Sequence, residues 1–225
     1  TGFGAAGEYL ESTRRWNVIG NGNAGYAGFN IGTSCRAVTL LGNENLGNAT
    51  VGSGLNNVNI VGNYNFQSGF VGSNIDKINI NGFTNFYGSN AGIGESSYFI
   101  TVNGNNNFYD SNAGMGIWSR YIGITGSSNF NNPGSGIGIG ATDSATGVFD
   151  VNITGNQNFH GSNAGIGTGA YRININGNSN FYMPNAGIHT GANFIGINGI
   201  INFQGTNSHI GADSYYVNVN GFENF

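Results

Sequence analysis

Ten times in 225 residues this chain repeats one step: a short run of alternating β-branched residues, a Gly-x-x-Asn tetrapeptide and, in eight of the ten, a Phe. The anchoring glycines are Gly20, Gly42, Gly62, Gly82, Gly104, Gly126, Gly155, Gly177, Gly199 and Gly221, spaced by 22, 20, 20, 22, 22, 29, 22, 22 and 22 residues. Asn stands three residues after each, from Asn23 and Asn45 through Asn65, Asn85, Asn107, Asn129, Asn158, Asn180 and Asn202 to Asn224. A repeat this short cannot bury an apolar stripe by itself. It has to stack on its neighbours, and the period predicts a solenoid.

The type of solenoid follows from one repeat, Val151 to Tyr171. Alternate side chains of a strand face opposite ways, so Val151 and Ile153 point inward while Asn152 and Thr154 point outward. The same parity puts Ala164 and Ile166 inside and Asn163, Gly165 and Gly167 outside. Each coil therefore carries two short strands, with the anchoring glycine supplying the backbone angles of a tight corner. Phe66, Phe86, Phe108, Phe130, Phe159, Phe181, Phe203 and Phe225 should form an internal aromatic column, and the Asn before each an internal amide ladder. Helix is disfavoured because Gly and Asn are poor helix formers and no stretch sustains a helical apolar spacing. Low-complexity disorder fits poorly with 13% aromatic residues held in register.

The expected fold is thus an all-β solenoid of about ten stacked coils of 20–22 residues. Residues 17–225 form one repeat domain, with an inserted loop near 136–148 around Asp143, Ser144 and Thr146. Residues 1–16, which hold Glu8, Glu11, Arg14 and Arg15, form an N-terminal cap or a link. The chain stops at Gly221-Phe222-Glu223-Asn224-Phe225 without a capping sequence. An open solenoid end is an unpaired strand edge, so the expectation is a processed fragment or an end covered by another copy or another protein.

A net charge of -4 with scattered Arg14, Arg15, Arg36, Lys77, Arg120 and Arg172 offers no basic stripe for nucleic acid. Cys35 is alone and makes no intrachain disulfide. No apolar run approaches the roughly 20 residues of a membrane-spanning helix. Neither cofactor nor metal is implied. His160, His189 and His209 lie five, twelve and ten residues past their anchors, so they form no column of ligands. The Gly-x-Gly strings are products of the repeat and lack the strand-turn-helix setting of a phosphate loop. The best catalytic pair is Asp76 and Glu95, fourteen and thirteen residues past their anchors on adjacent coils, as in an enzyme acting on a polysaccharide; ordinary charged turn residues are the favoured reading of them.

Three outward rows carry the remaining information. Asn79, Asn81, Thr101, Asn103, Gly123, Thr125, Asn152, Thr154, Asn174, Asn176, Gly196, Asn198, Asn218 and Asn220 form a ladder that either solvates a β face or orders water against ice. Tyr87, Tyr109, His160 and Tyr182, in the row after each Phe, suit stacking on sugar rings or contact with another subunit. Gly92, Gly94, Gly114, Gly116, Gly165, Gly167 and Gly187 leave the second strand bare. Such a strip either admits another copy of the chain closely, along Gly92, Gly114, Gly165 and Gly187, or lets the coils turn tightly.

The run Leu41-Gly42-Asn43-Glu44-Asn45, followed by Asn48-Ala49-Thr50-Val51-Gly52-Ser53-Gly54-Leu55-Asn56, resembles the repeats of bacteriophage tail fibres. Those repeats have an apolar-Gly-x-x-Ala/Asn step and then Asn-x-Thr-x-Gly-Ser-x-x-Asn. The heads of trimeric bacterial adhesins are similar in a looser way. The match is best over residues 36–66 and gives way to the chain's own Asn-Phe and Asn-Ala-Gly-Ile-Gly variant. The resemblance implies an elongated, usually trimeric particle with a host-binding tip, and in some members a self-cleaving chaperone domain. It carries over no receptor-binding residue. The expected function is a non-enzymatic, fibre- or filament-forming structural and adhesive protein, extracellular, on a cell surface or on a virion. Its partners would be itself and a cell-surface glycan, with no nucleic acid and no membrane span. Ice binding is the alternative, and a polysaccharide-active enzyme the third reading.

Overall fold

The computed structural model describes residues 9–10, 15–22, 30–31, 36–44, 50–88, 91–110, 112–138 and 147–225. Among the described residues there are two parallel sheets of ten strands each and no helix. One sheet runs from Arg15–Ile19 to Tyr215–Asn220 with strands of four to six residues. The other runs from Tyr9–Leu10 to His209–Ile210 with strands of two. Each strand pairs with its equivalents in the adjacent coils, the end strands on one side only, so the chain alternates between sheets while the sheets grow along one axis.

The repeat dictates this register. Parallel pairing sets Val151 on Ile173, Ile173 on Ile195 and Ile195 on Val217, so that like lies on like. Val151, Ile153, Ala164 and Ile166 are all buried, as their parity predicts. The aromatic column is internal: Phe66 to Phe203 stack with centroids 4.7–5.0 Å apart and ring planes within 8°. Phe225 stacks on Phe203 at 5.1 Å but, unlike the other rings of the column, is exposed.

The Asn ladder is internal as well. The backbone N–H of Asn85 donates to Oδ1 of Asn107 at 3.0 Å, and that of Asn107 to Asn129 at 2.9 Å, while Nδ2 of Asn85 donates back to the Gly62 carbonyl at 3.0 Å. Each amide thus ties three coils together and satisfies the polar groups of a dry corner. The anchoring glycines are fixed by the same closeness. At Gly155 φ is +141°, and a Cβ there would lie 1.9 Å from the Gly126 carbonyl oxygen.

The stack with this complete corner has about eight turns, against the ten that the anchors predict. The difference sits at the start, where Asn23 and Asn45 are followed by Ala24 and Leu46 in place of Phe and lie outside the described residues. Most of the expected cap, and residues 139–146 of the expected loop, also lie outside them. Tyr9–Leu10, within the expected cap, is the first strand of the short-strand sheet and pairs with Asn30–Ile31.

Candidate functional site

With the interior filled by the Phe and Asn columns, the chemistry is all on outward rows. On the long-strand sheet the expected ladder is assembled in register: Thr101 lies on Asn79, Asn174 on Asn152 and Asn220 on Asn198. Its amides bond to one another along the axis, with Nδ2 of Asn103 on Oδ1 of Asn81 at 2.9 Å and Nδ2 of Asn220 on Oδ1 of Asn198 at 3.0 Å. Thr125 and Thr154 are exposed in the same row. Gly123 and Gly196 interrupt the other row.

The glycine strip lies on the short-strand sheet, where Gly92 pairs with Gly114 and Gly165 with Gly187. Gly92, Gly94, Gly114 and Gly116, with Phe70, Glu95 and Asn112, line a depression of about 390 Å³. The reason for glycine here is internal to the chain. A Cβ on Gly92, Gly114, Gly165 or Gly187 would stand 2.0–2.1 Å from the carbonyl oxygen one coil on, and one on Gly94 or Gly116 would meet backbone nitrogen at 2.6–2.7 Å. Gly92, Gly165 and Gly187 are buried against the neighbouring coils, and Gly165→Gln would push a side chain into the Gly187 carbonyl. That side chain would wedge the coils apart.

In the row after each Phe, Tyr109 and Tyr182 are exposed and His160 is half-buried. His160 and Tyr182 stack face to face at 5.1 Å, and Tyr64 meets Tyr87 edge to face at 5.7 Å. The stack covers one face of His160 and one of Tyr182. Burial pushes the Tyr87 hydroxyl up, with Glu44 and Tyr64 adding to the rise, and pulls His160 down. His189 and His209 meet edge to face at 5.9 Å, and His189 is held below the ordinary range by burial first and by His209 second. Asp76 and Glu95 are both exposed but not opposite one another: the Glu95 carbonyl accepts from the N–H of Asn74, two residues before Asp76.

A further row was not singled out from the sequence. Phe99, Tyr121, Asp150, Arg172, Phe194 and Tyr216 each lie five residues before an anchoring glycine, at the start of a long strand. All six have left-handed φ, from 46° to 57°. The pairing register passes from Tyr98 on Arg120 to Ile100 on Ile122 and skips the residue between, so this column stands off the sheet edge. Phe99 stacks on Tyr121 at 4.8 Å and Phe194 on Tyr216 at 4.7 Å. Between the two pairs, Arg172 binds Asp150 through Nε at 2.5 Å and through a terminal nitrogen at 2.6 Å. The signal was a constant offset from the anchor, hidden because the residue type alternates between aromatic and charged.

Compared with known proteins, the chain matches no family model, no curated protein and no solved structure.

Proposed function

We propose that this chain is a non-enzymatic structural and adhesive repeat element of an extracellular surface or a virion, one that builds fibres or filaments and holds a glycan. The observation behind this reading is the division between inside and outside. The two internal columns fill the core from coil to coil, and every chemistry-bearing row faces solvent once per coil along one axis. Such a surface is a linear array of equal contacts, suited to binding a repeating partner by many weak interactions. The Gly-Asn resemblance of residues 36–66 to tail-fibre repeats points the same way.

A glycan array read beside sedimentation velocity tests the proposal. The expected outcome is binding to at least one glycan class and self-association that grows with concentration, with no new reducing ends released from any bound polysaccharide. Turnover, or a monomer at every concentration that binds nothing, overturns it. Ice binding is a second reading, favoured by the hydrogen-bonded register of the Asn/Thr rows. It requires thermal hysteresis in the wild type and its loss in Thr154→Lys.

A further inference from the structure

We propose that the edge of the long-strand sheet where Tyr121, Asp150, Arg172 and Phe194 follow one another on successive coils is a binding site for a linear glycan bearing carboxylates. This deepens the adhesive reading above and rests on it.

Backbone conformation is the first argument. A bulky residue at positive φ is uncommon and persists only where something compensates. In the internal column the compensation is visible: Phe159 has φ 57° and is fully buried. Another left-handed row, Asn112, Asn163, Asn185 and Asn207, uses Asn, which tolerates that conformation. The edge column does neither. Phe99 is 56% exposed and Tyr121 47%, so these rings are strained without being buried. Within the fold alone, Asn or Gly would serve the position better.

Unforced glycines supply the second argument. Unlike the anchors and the strip, Gly123 would place a Cβ no closer than 4.0 Å to any atom and Gly196 no closer than 3.5 Å. The fold has room for a side chain at both. Each lies two residues after an edge aromatic, Tyr121 or Phe194, and so leaves bare floor beside a ring.

The third argument is the arrangement along the axis. The stacked pairs Phe99–Tyr121 and Phe194–Tyr216 each cover one face of their inner ring; the other face of Tyr121 is left toward the ion pair, while Phe194 also meets Tyr171 of the preceding coil at a steep angle, with centroids 5.0 Å apart. Three coil steps separate the two rings, about 14 Å at the usual strand spacing, so the row has aromatic ends with the ion pair between them. Ring faces beside polar groups are what pyranose recognition needs.

Charge then selects among glycans. Arg172 is matched by Asp150, but the Arg120 guanidinium lies over the Phe149 ring at 4.7 Å, its Nε buried without a partner, and no carboxylate pairs with it among the described residues. The local balance is two guanidinium groups to one carboxylate. A sugar carboxylate completes it with the bidentate geometry that arginine favours.

Isothermal titration with an oligogalacturonate hexasaccharide and with cellohexaose as the neutral probe tests the site. Tyr121→Ala and Gly123→Gln should each weaken oligogalacturonate binding by about tenfold or more while circular dichroism stays that of the wild type. Arg120→Gln should remove the preference for the acidic probe, and Met183→Ala, exposed but outside every row considered, should change nothing. Wild-type affinity in Tyr121→Ala and Gly123→Gln, or equal binding of cellohexaose by the wild type, overturns the site. So does a wild type that ignores oligogalacturonate. A glycan-array signal or self-association in that same sample would leave the adhesive reading standing, and the absence of both would remove it too.

Discussion

At Asn158 and Phe159 one residue closes a hydrogen-bond circuit and the next turns a corner against its own conformational preference. Oδ1 of Asn158 accepts from the backbone and side-chain nitrogens of Asn129 at 3.1 and 3.2 Å, and Nδ2 donates to the Gly126 carbonyl at 3.2 Å. Asn158→Leu keeps the volume but strands the Asn129 donors, and should destabilise by about 1–3 kcal/mol for the backbone group alone. Phe159→Ala removes a ring stacked at 5.0 and 4.9 Å on its neighbours and should cost about 3–5 kcal/mol in a urea melt. A loss below 1 kcal/mol would mean that the column does not carry the core. The histidines set the acid side of stability. With its folded pKa held below the ordinary imidazole value, His189 contributes stability that is present above that value and lost as pH falls toward the folded pKa. His160 acts in the same sense. The melting temperature should fall between pH 7.5 and 5, and His189→Gln should flatten that fall; an unchanged slope would rule out the assignment.

Among the strands, glycine has two opposite meanings, and a pair of substitutions separates them. Gly165→Ala forces a Cβ to within 2.0 Å of the Gly187 carbonyl oxygen and should destabilise by about 1–3 kcal/mol through overpacking. Gly196→Thr adds a β-branched residue in free space on a strand and should be neutral or stabilising by up to about 1 kcal/mol. Equal losses from both in thermal melts would show that glycine serves the strand backbone alike in the two sheets. The sequence puts a residue without a side chain on the outward parity at both positions, although Gly165 is buried in the structure and Gly196 is half-buried. It did not distinguish them. Whether a missing Cβ leaves a hole or prevents a collision depends on the coil above, and the clearance is 4.0 Å at Gly123 but 2.1 Å at Gly114. The edge column was hidden for a related reason. Alternation assigns residues to two faces, and a left-handed residue such as Tyr121 belongs to neither.

Over the whole molecule, each strand pairs only with its counterparts one coil away, so stability is a chain of nearest-neighbour terms with no long-range closure. The coil that starts at Gly126 departs most from the repeat, since 29 residues separate it from Gly155 where most steps are 22. Across it the ladder still holds: Phe130 stacks on Phe159 at 5.0 Å, and the N–H of Asn129 reaches Asn158 at 3.1 Å. Phe130→Ala removes the aromatic half of that junction. Native-state hydrogen exchange read by mass spectrometry should then show lost protection concentrated in the flanking strands Tyr98–Asn103, Arg120–Thr125 and Phe149–Thr154, with Asn57–Val61 and Asn193–Asn198 near wild type. If protection fell evenly along all the strands, the coils would be unfolding as one cooperative unit and the nearest-neighbour account would be wrong. A graded loss would mean that the solenoid can open at its centre while both halves of its outward rows stay in register.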